Sequence, residues 1–562
     1  MYSTKKNVLQ LVSLLKKAGI QDYVLCPGSR NIPLVQTIVS IEGFHCHSVT
    51  DERSAGFYAI GLIQALQRPV AVCCTSGSAV LNLHPSVCEA FYQQLPLLVL
   101  TADRPKEWIG QMDGQTLPQA EAFGSLVKKS VTLPEVKDKT EEWYCNRLVN
   151  EALYALNAQG LGPVQINIPL SEPFFDFSQG SLPDERLITH IPARNTCPPP
   201  ILAASVNKAQ SVMLIIGQRS YEDCNLHAVM EVCKEKGILV VCEHLANIPS
   251  HYPVRSFDEI LATNSDISTP ELVIYTGGHI VSKRLKKWLR TNPPARLWWV
   301  AGDDSMPDTF QHLTSTIQTP DVYTFLTGLF KETEMASKRK EYVQYWKLQE
   351  THVIANRPFD RFDSCFCDVA VLHRFTEHLK NYSDNNNSIQ VANSSMVRNL
   401  QLFPLPEHTR VLCNRGVNGI EGSLSTSVGY ALGRKELTFC LIGDLSFFYD
   451  MNALWHRGLP SNLRILLINN GNGQIFHQLP GLASPYLDDY FAAAHTCHAS
   501  GWAHDAGVTY MKCDTFDALE KAWDTFFSNE TDTPVLLEAV TDRTLNEDVN
   551  KNYYNDLKQI QL

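Results

Sequence analysis

LIGDLSFFYDMNALWHRGLPSNLRILLINNGNGQIF, residues 441–476, carries two apolar runs separated by a polar-interrupted segment. The first run extends back to residue 436 as ELTFCLIG and reads as a buried strand, and LRILLIN reads as a second one. Between them Phe447, Met451, Leu454 and Trp455 recur at helical spacing, so the stretch is a βαβ unit. A right-handed crossover sets the carboxyl ends of its two strands side by side, which places Asp444 next to Asn469, Asn470, Gly471 and Asn472. A carboxylate and amide oxygens suit a hard Mg²⁺ that is also held by phosphate oxygens. The same residues also fit a helix N-cap followed by an asparagine turn.

Outward from this stretch the pattern repeats. An amphipathic segment over 4–18 precedes DYVLC and the loop Pro27, Gly28, Ser29, Arg30; FHCHSVT precedes Asp51, Glu52 and a helix to about Gln67; VAVCCT precedes Ser76, Gly77, Ser78 and a helix to about Tyr92; LPLLVL precedes Thr101 to Arg104. Strands alternating with helices predict a doubly wound, mainly parallel sheet with function at the strand carboxyl ends, where Glu52, Ser76 and Arg104 fall. VQINIPL closes this first α/β unit, 1–180, and SLPDERLITHIPARNTCPPP reads as a linker. SVMLIIG, GILVVCEH, ELVIYTGG and ARLWWVAGD supply a second α/β unit, 198–335. A charged helical stretch then leads to a third, 358–562, with SIQVANSS, TRVLCNRG, LTFCLIG, RILLINN and TPVLLEAV as strands.

The 562 residues are 44% hydrophobic and 19% charged, a globular balance, and the net charge of -11 argues against a nucleic-acid or anionic-membrane partner. No apolar run approaches the roughly 18 residues of a membrane span, and the start of the chain lacks a signal-peptide pattern. The 16 cysteines contain no CxxC, so they read as reduced thiols of a cytoplasmic protein. A metal site at Cys365 and Cys367 with His373 and His378 has no second thiol pair to support it.

Gly443, Asp444 and Leu445, followed 26 residues after Asp444 by Asn470, resemble the metal and diphosphate motif of the thiamine diphosphate enzyme superfamily. Glu52 resembles the activating glutamate of that superfamily, and the one departure is Leu445, where most members carry glycine. CPGSR (26–30), TDERSAGFYAIG (50–61), TSGSAV (75–80), LTADRP (100–105), SKRL (282–285), NRGVNGIEG (414–422), GDLS (443–446) and NGQIF (472–476) are similar to its carboligase branch in menaquinone biosynthesis. That branch decarboxylates 2-oxoglutarate and adds the remaining four-carbon unit to isochorismate in a 1,4 fashion.

The resemblance implies thiamine diphosphate and Mg²⁺, with Mn²⁺ as an alternative ion, bound by Asp444, Asn470 and Asn472. It implies that Gly443, Leu445 and Ser446 meet the diphosphate, Ile420 props the cofactor into a bent shape, and Ile475 with Phe476 gives its thiazolium an apolar wall. Glu52 would hydrogen-bond the aminopyrimidine N1′ and thereby promote loss of the C2 proton. Two dicarboxylates held in turn need fixed cations, for which Arg30, Arg104, Lys283, Arg284, Arg398 and Arg415 match the branch's positions, with Ser29 beside them. Ser394 and Gln115 match polar contacts near the reacting carbon, so the resemblance implies a catalytic set of Glu52, Gln115, Ser394, Arg398 and Arg415. The resemblance further implies a homodimer or homotetramer in which the first unit of one subunit meets the third unit of its partner. Other superfamily activities, a 2-oxo acid decarboxylase or an acetohydroxyacid synthase-like carboligase, are the alternatives; no G-x-S-x-G, GxGxxG or P-loop pattern is present.

Overall fold

The computed structural model describes the chain except residues 190–196, 220–224, 265, 383–385, 479–481, 483 and 560–562. Three sheets, every strand pair parallel, follow one another along it. The first contains β1 (Asp22–Leu25), β2 (His45–Ser48), β3 (Val70–Cys74), β4 (Leu97–Asp103), β5 (Lys129–Thr132) and β6 (Val164–Pro169) in the order β2-β1-β3-β4-β6-β5. The second contains β7 (Val212–Ile216), β8 (Leu239–Cys242), β9 (Leu272–Thr276), β10 (Arg296–Ala301) and β11 (Ser315–Gln318) in the order β11-β10-β9-β7-β8. The third contains β12 (Ser388–Val391), β13 (Arg410–Leu412), β14 (Thr438–Gly443), β15 (Leu463–Asn469), β16 (Thr509–Cys513) and β17 (Val535–Val540) in the order β13-β12-β14-β15-β17-β16. The α/β class expected from the alternating pattern is therefore what forms. Central strands such as β14 and β15 are mostly apolar and buried along nearly their whole length because helices cover both faces of a parallel sheet.

Several boundaries differ from expectation, each for a local reason. The crossover from β14 to β15 holds only a six-residue helix, Asp444–Tyr449, followed by a 3₁₀ turn, Met451–Leu454. Asp450 leaves helical geometry where its carboxylate turns to cap Ser425. The helix expected up to Tyr92 is two, Ser78–Asn82 and His84–Tyr92, with Pro85 in the first turn of the second. Part of the expected linker, 190–196, lies outside the described residues, and the last of its three prolines opens the helix Pro200–Lys208.

The first and third sheets share one continuous core, running from Val72 and Ile60 through Val428 to Leu467. Its seam is the pair of helices Glu52–Leu66 and Ser423–Leu432, whose backbones touch through glycines. A Cβ on Gly61 would lie 2.1 Å from the Thr426 carbonyl oxygen, and one on Gly429 would lie 2.1 Å from that of Tyr58. No larger residue fits either position without parting the helices.

Candidate active site

Parallel pairing puts Gly443 opposite Ile468, so Asp444 leaves β14 beside the end of β15, as the crossover predicts. Asp444 is buried, and its carboxylate joins the two strand ends. Oδ1 accepts from Leu445 N at 2.7 Å, and Oδ2 accepts from Asn470 N at 3.1 Å and Gly471 N at 2.7 Å. His495 Nε2 stands 3.5 Å from the same Oδ2, and that carboxylate raises the imidazole's pKa. Asn470 spends its amide N–H on Asp368, which leaves Oδ1 to accept Asn472 N at 3.1 Å. Asn472 Oδ1 is buried with no hydrogen-bond partner, as are both amide atoms of Gln474. One carboxylate and two amide oxygens, one of them orphaned, fit a hard cation that takes its remaining ligands from phosphate. Among the described residues no group of three or more His, Cys, Asp or Glu side chains is arranged to hold a metal ion, so a cation here would depend on the amide oxygens. Leu445 and Phe476 both lie within 3.4 Å of a Cβ placed on Gly473, so the motif's leucine packs with the expected apolar wall. Ile475 and Ser446 flank this loop on its 3₁₀ turn and on the Asp444–Tyr449 helix respectively.

The glycine-rich loop 414–422 approaches from β13. Asn393 binds it, donating to the carbonyls of Asn414 and Gly419 and accepting Arg415 Nη1 at 2.9 Å. Ser394 follows with φ +69°, a strained turn for a non-glycine residue that opens the helix Ser395–Leu400 and Arg398. Glu89, buried in the first α/β unit, accepts from Gly416 N at 2.7 Å and Val417 N at 2.9 Å, and burial pushes its pKa up. Ile420 stays 38% exposed.

Glu52 is the first residue of its helix, capped by Asp51, which accepts from Arg53 N and Ser54 N. Its carboxylate accepts from Asn82 at 3.3 Å; burial raises the pKa values of the Cys26 and Cys74 thiols at the ends of β1 and β3, and the Glu52 charge adds to both. The same strand-end region holds exposed Ser29, buried Arg30 stacked 4.4 Å over Phe174, Arg104 paired with Asp113 at 2.7 Å, and exposed Gln115, whose backbone crowds Gly77. Arg104 is among the charges that lower the Arg30 pKa, after burial.

A second cationic group forms where the second and third sheets meet. Arg398 Nη1 donates to Val281 O at 3.3 Å, and burial followed by Arg415 lowers its pKa. Buried Glu243 caps the start of the next helix by accepting from Val281 N and Ser282 N, both at 2.7 Å. Lys283 on that helix is exposed, whereas Arg284 pairs with Asp258 and stacks 4.8 Å over Tyr554. Lys286, which sequence reasoning passed over, turns inward among Glu243, Arg415 and Arg398. No hydrogen bond or ion pair among the described residues joins Glu52 to Asp444, Ser394 or the cationic group between the second and third sheets. The expected site thus stands as separate clusters.

Residues 8–123 match the family described as "Thiamine pyrophosphate enzyme, N-terminal TPP binding domain". Over its length the chain is also similar to proteins named 2-succinyl-5-enolpyruvyl-6-hydroxy-3-cyclohexene-1-carboxylate synthase. It is 45% identical to that of Bacteroides thetaiotaomicron, over 100% of both chains. It is 46% identical to that of Bacteroides fragilis, over 99% of this chain and 100% of the relative, and 44% identical to that of Phocaeicola vulgatus, over 99% of each. The chain belongs to this synthase family. It is therefore a thiamine diphosphate enzyme. Asn393, Gln474, Glu243 and Lys286 stand in these clusters although sequence reasoning did not single them out. Gln474 stood inside the NGQIF motif and was readable there, while the other three become visible only when loops from different strands converge. No helix of the described residues is long and apolar enough to cross a membrane.

Proposed function

We propose that the chain decarboxylates 2-oxoglutarate and adds the succinyl-semialdehyde unit to isochorismate, giving 2-succinyl-5-enolpyruvyl-6-hydroxy-3-cyclohexene-1-carboxylate and CO₂ in menaquinone biosynthesis. Full-length similarity to the synthases carries this reading. When bound, thiamine diphosphate supplies a carbon nucleophile that holds the four-carbon unit after CO₂ leaves. Asp444, Asn470 and Asn472 would hold Mg²⁺, or Mn²⁺, against the diphosphate, with Gly443, Leu445 and Ser446 around it. The buried, unpartnered Asn472 Oδ1 and the unpartnered Gln474 amide support that placement. Glu52 would hold a proton at N1′, Ile420 would support the bent cofactor, and Ile475 and Phe476 would exclude water from the thiazolium.

Arg398 and Arg415, desolvated beside Lys286, would bind a carboxylate, where a charge-assisted hydrogen bond contributes roughly 1.5–3 kcal/mol. Arg30, Arg104, Ser29 and Gln115 would meet the substrates from the first sheet, and Lys283, Arg284 and Ser394 from the other side. Arg104 and Arg284 already hold Asp113 and Asp258, so a substrate carboxylate would compete with those ion pairs. The division into units 1–180, 198–335 and 358–562, a homo-oligomer of at least two chains, and a cytoplasmic location belong to the same proposal. The test is to incubate the protein with thiamine diphosphate, Mg²⁺ and 2-oxoglutarate, with and without isochorismate, and follow CO₂ and the adduct. CO₂ release without adduct would replace the carboligase by a 2-oxo acid decarboxylase.

A further inference from the structure

Asp368 opens the helix Asp368–Asn381, some hundred residues before the asparagines it serves, and is buried. Its Oδ2 accepts Asn470 Nδ2 at 2.8 Å, and its Oδ1 accepts the Thr541 hydroxyl at 2.6 Å and Asn546 Nδ2 at 2.8 Å. Asn546 Oδ1 in return accepts Asp368 N at 2.7 Å, so the carboxylate is held from both sides by the chain that follows β17. An ionised carboxylate only accepts hydrogen bonds, so it can face only the NH₂ end of the Asn470 amide. The oxygen end is then turned the other way and accepts Asn472 N at 3.1 Å, the same residue whose Oδ1 is buried and orphaned.

We infer that Asp368 is a positioning residue: it fixes the Asn470 side-chain amide with its oxygen toward the cation. The inference rests on the reading of Asn470 as a metal ligand. Without Asp368 the amide gains a second orientation that presents NH₂ to Mg²⁺, and partners that orient a ligand are worth about 10–100-fold in metal affinity.

The experiment titrates Mg²⁺ into protein with saturating thiamine diphosphate and reads cofactor retention by calorimetry, for wild type, Asn470→Ala, Asp368→Ala and the double variant. Asp368→Asn, which keeps the side chain's size but offers one acceptor oxygen to three donors, stands in if the alanine variant does not fold. Expected are about 10-fold or greater weakening for Asp368→Ala, and a double variant no weaker than Asn470→Ala alone, because Asp368 acts through that amide. Asp368 variants with wild-type Mg²⁺ dependence beside a weakened Asn470→Ala overturn the inference and leave the metal reading standing. So do losses that add in the double variant, which would make Asp368 general scaffold. Wild-type Mg²⁺ dependence in Asn470→Ala itself overturns the metal reading and the inference together.

Discussion

Glu52 combines half-exposure, a single amide partner and a place at the first turn of a helix, where the dipole favours an acid on stability grounds alone. What separates a structural acid from an activating one is proton movement at N1′. Glu52→Gln keeps the size and the Asn82 contact but cannot hold the proton there, so exchange of the cofactor C2 proton should slow by about 10²–10⁴-fold. Thiamine diphosphate affinity should largely survive, since the Asp444 cluster lies on another sheet; rapid-quench NMR and calorimetry read the two quantities, and wild-type exchange would make Glu52 a structural acid of the helix's first turn. At this scale the sequence was informative where a cluster is local. Asp444 and Asn470 lie 26 residues apart on adjacent strands, and their meeting follows from the βαβ rule alone. Asn393 and Lys286 were not legible because an asparagine and a lysine acquire a role only from the loops that fold over them. Arg284 was legible by motif, yet its pairing with Asp258 and Tyr554 depends on a helix near the end of the chain.

Among elements, the strands that sequence patterning passed over are β5, β11 and β16, each at the edge of its sheet. KSVT, STIQ and TYMKC bury few of their side chains, so no apolar run marks them, whereas the central strands were all legible. The seam between Glu52–Leu66 and Ser423–Leu432 was equally hidden, since its glycines signal close approach without naming the partner. At the start of the second helix Asp450 is fully buried, accepting from Ser425 N at 2.7 Å and Ser425 Oγ at 2.8 Å. Burial pushes its pKa from 3.8 to about 6, with Arg53 and Asp51 facing it and opposing one another. A carboxyl whose folded pKa is raised binds its proton more tightly when folded, so its contribution to stability is full below the unfolded pKa and is lost as pH rises through the folded one. Asp450→Asn keeps an acceptor for Ser425 N and removes the ionisation. The wild-type Tm should therefore fall relative to that variant between about pH 4 and pH 6.5 and run parallel to it above; a constant difference across the window would show that Asp450 stays charged in the folded chain.

For the whole molecule, the separation of Glu52 from Asp444 is the fact to be explained. Contacts between their neighbourhoods exist within the chain, Arg53 Nη2 with Tyr449 O at 2.7 Å and Asn452 with Asp51 at 2.9 Å, but they involve the far end of the short helix that Asp444 opens. Around these clusters Leu81, Ile420, Tyr449 and Trp455 are exposed, although a soluble monomer gains nothing from uncovered apolar side chains beside its active site. A two-fold related copy that covered them and set Glu52 of one chain beside Asp444 of the other would complete two sites at once, since an isologous interface makes each contact twice. Sedimentation should then find at least a dimer, but mass alone does not say which residues share a site. Subunit complementation does. Glu52→Gln and Asp444→Ala should each be nearly inactive alone. If sites form across chains, co-expressing the two gives mixed dimers in which one site carries both wild-type residues and the other carries both substitutions. Random pairing makes half of the dimers mixed with half of their sites intact, so roughly a quarter of wild-type activity should return. If Glu52 and Asp444 of one chain serve the same site, every site in every mixed dimer keeps one substitution, and mixing restores nothing.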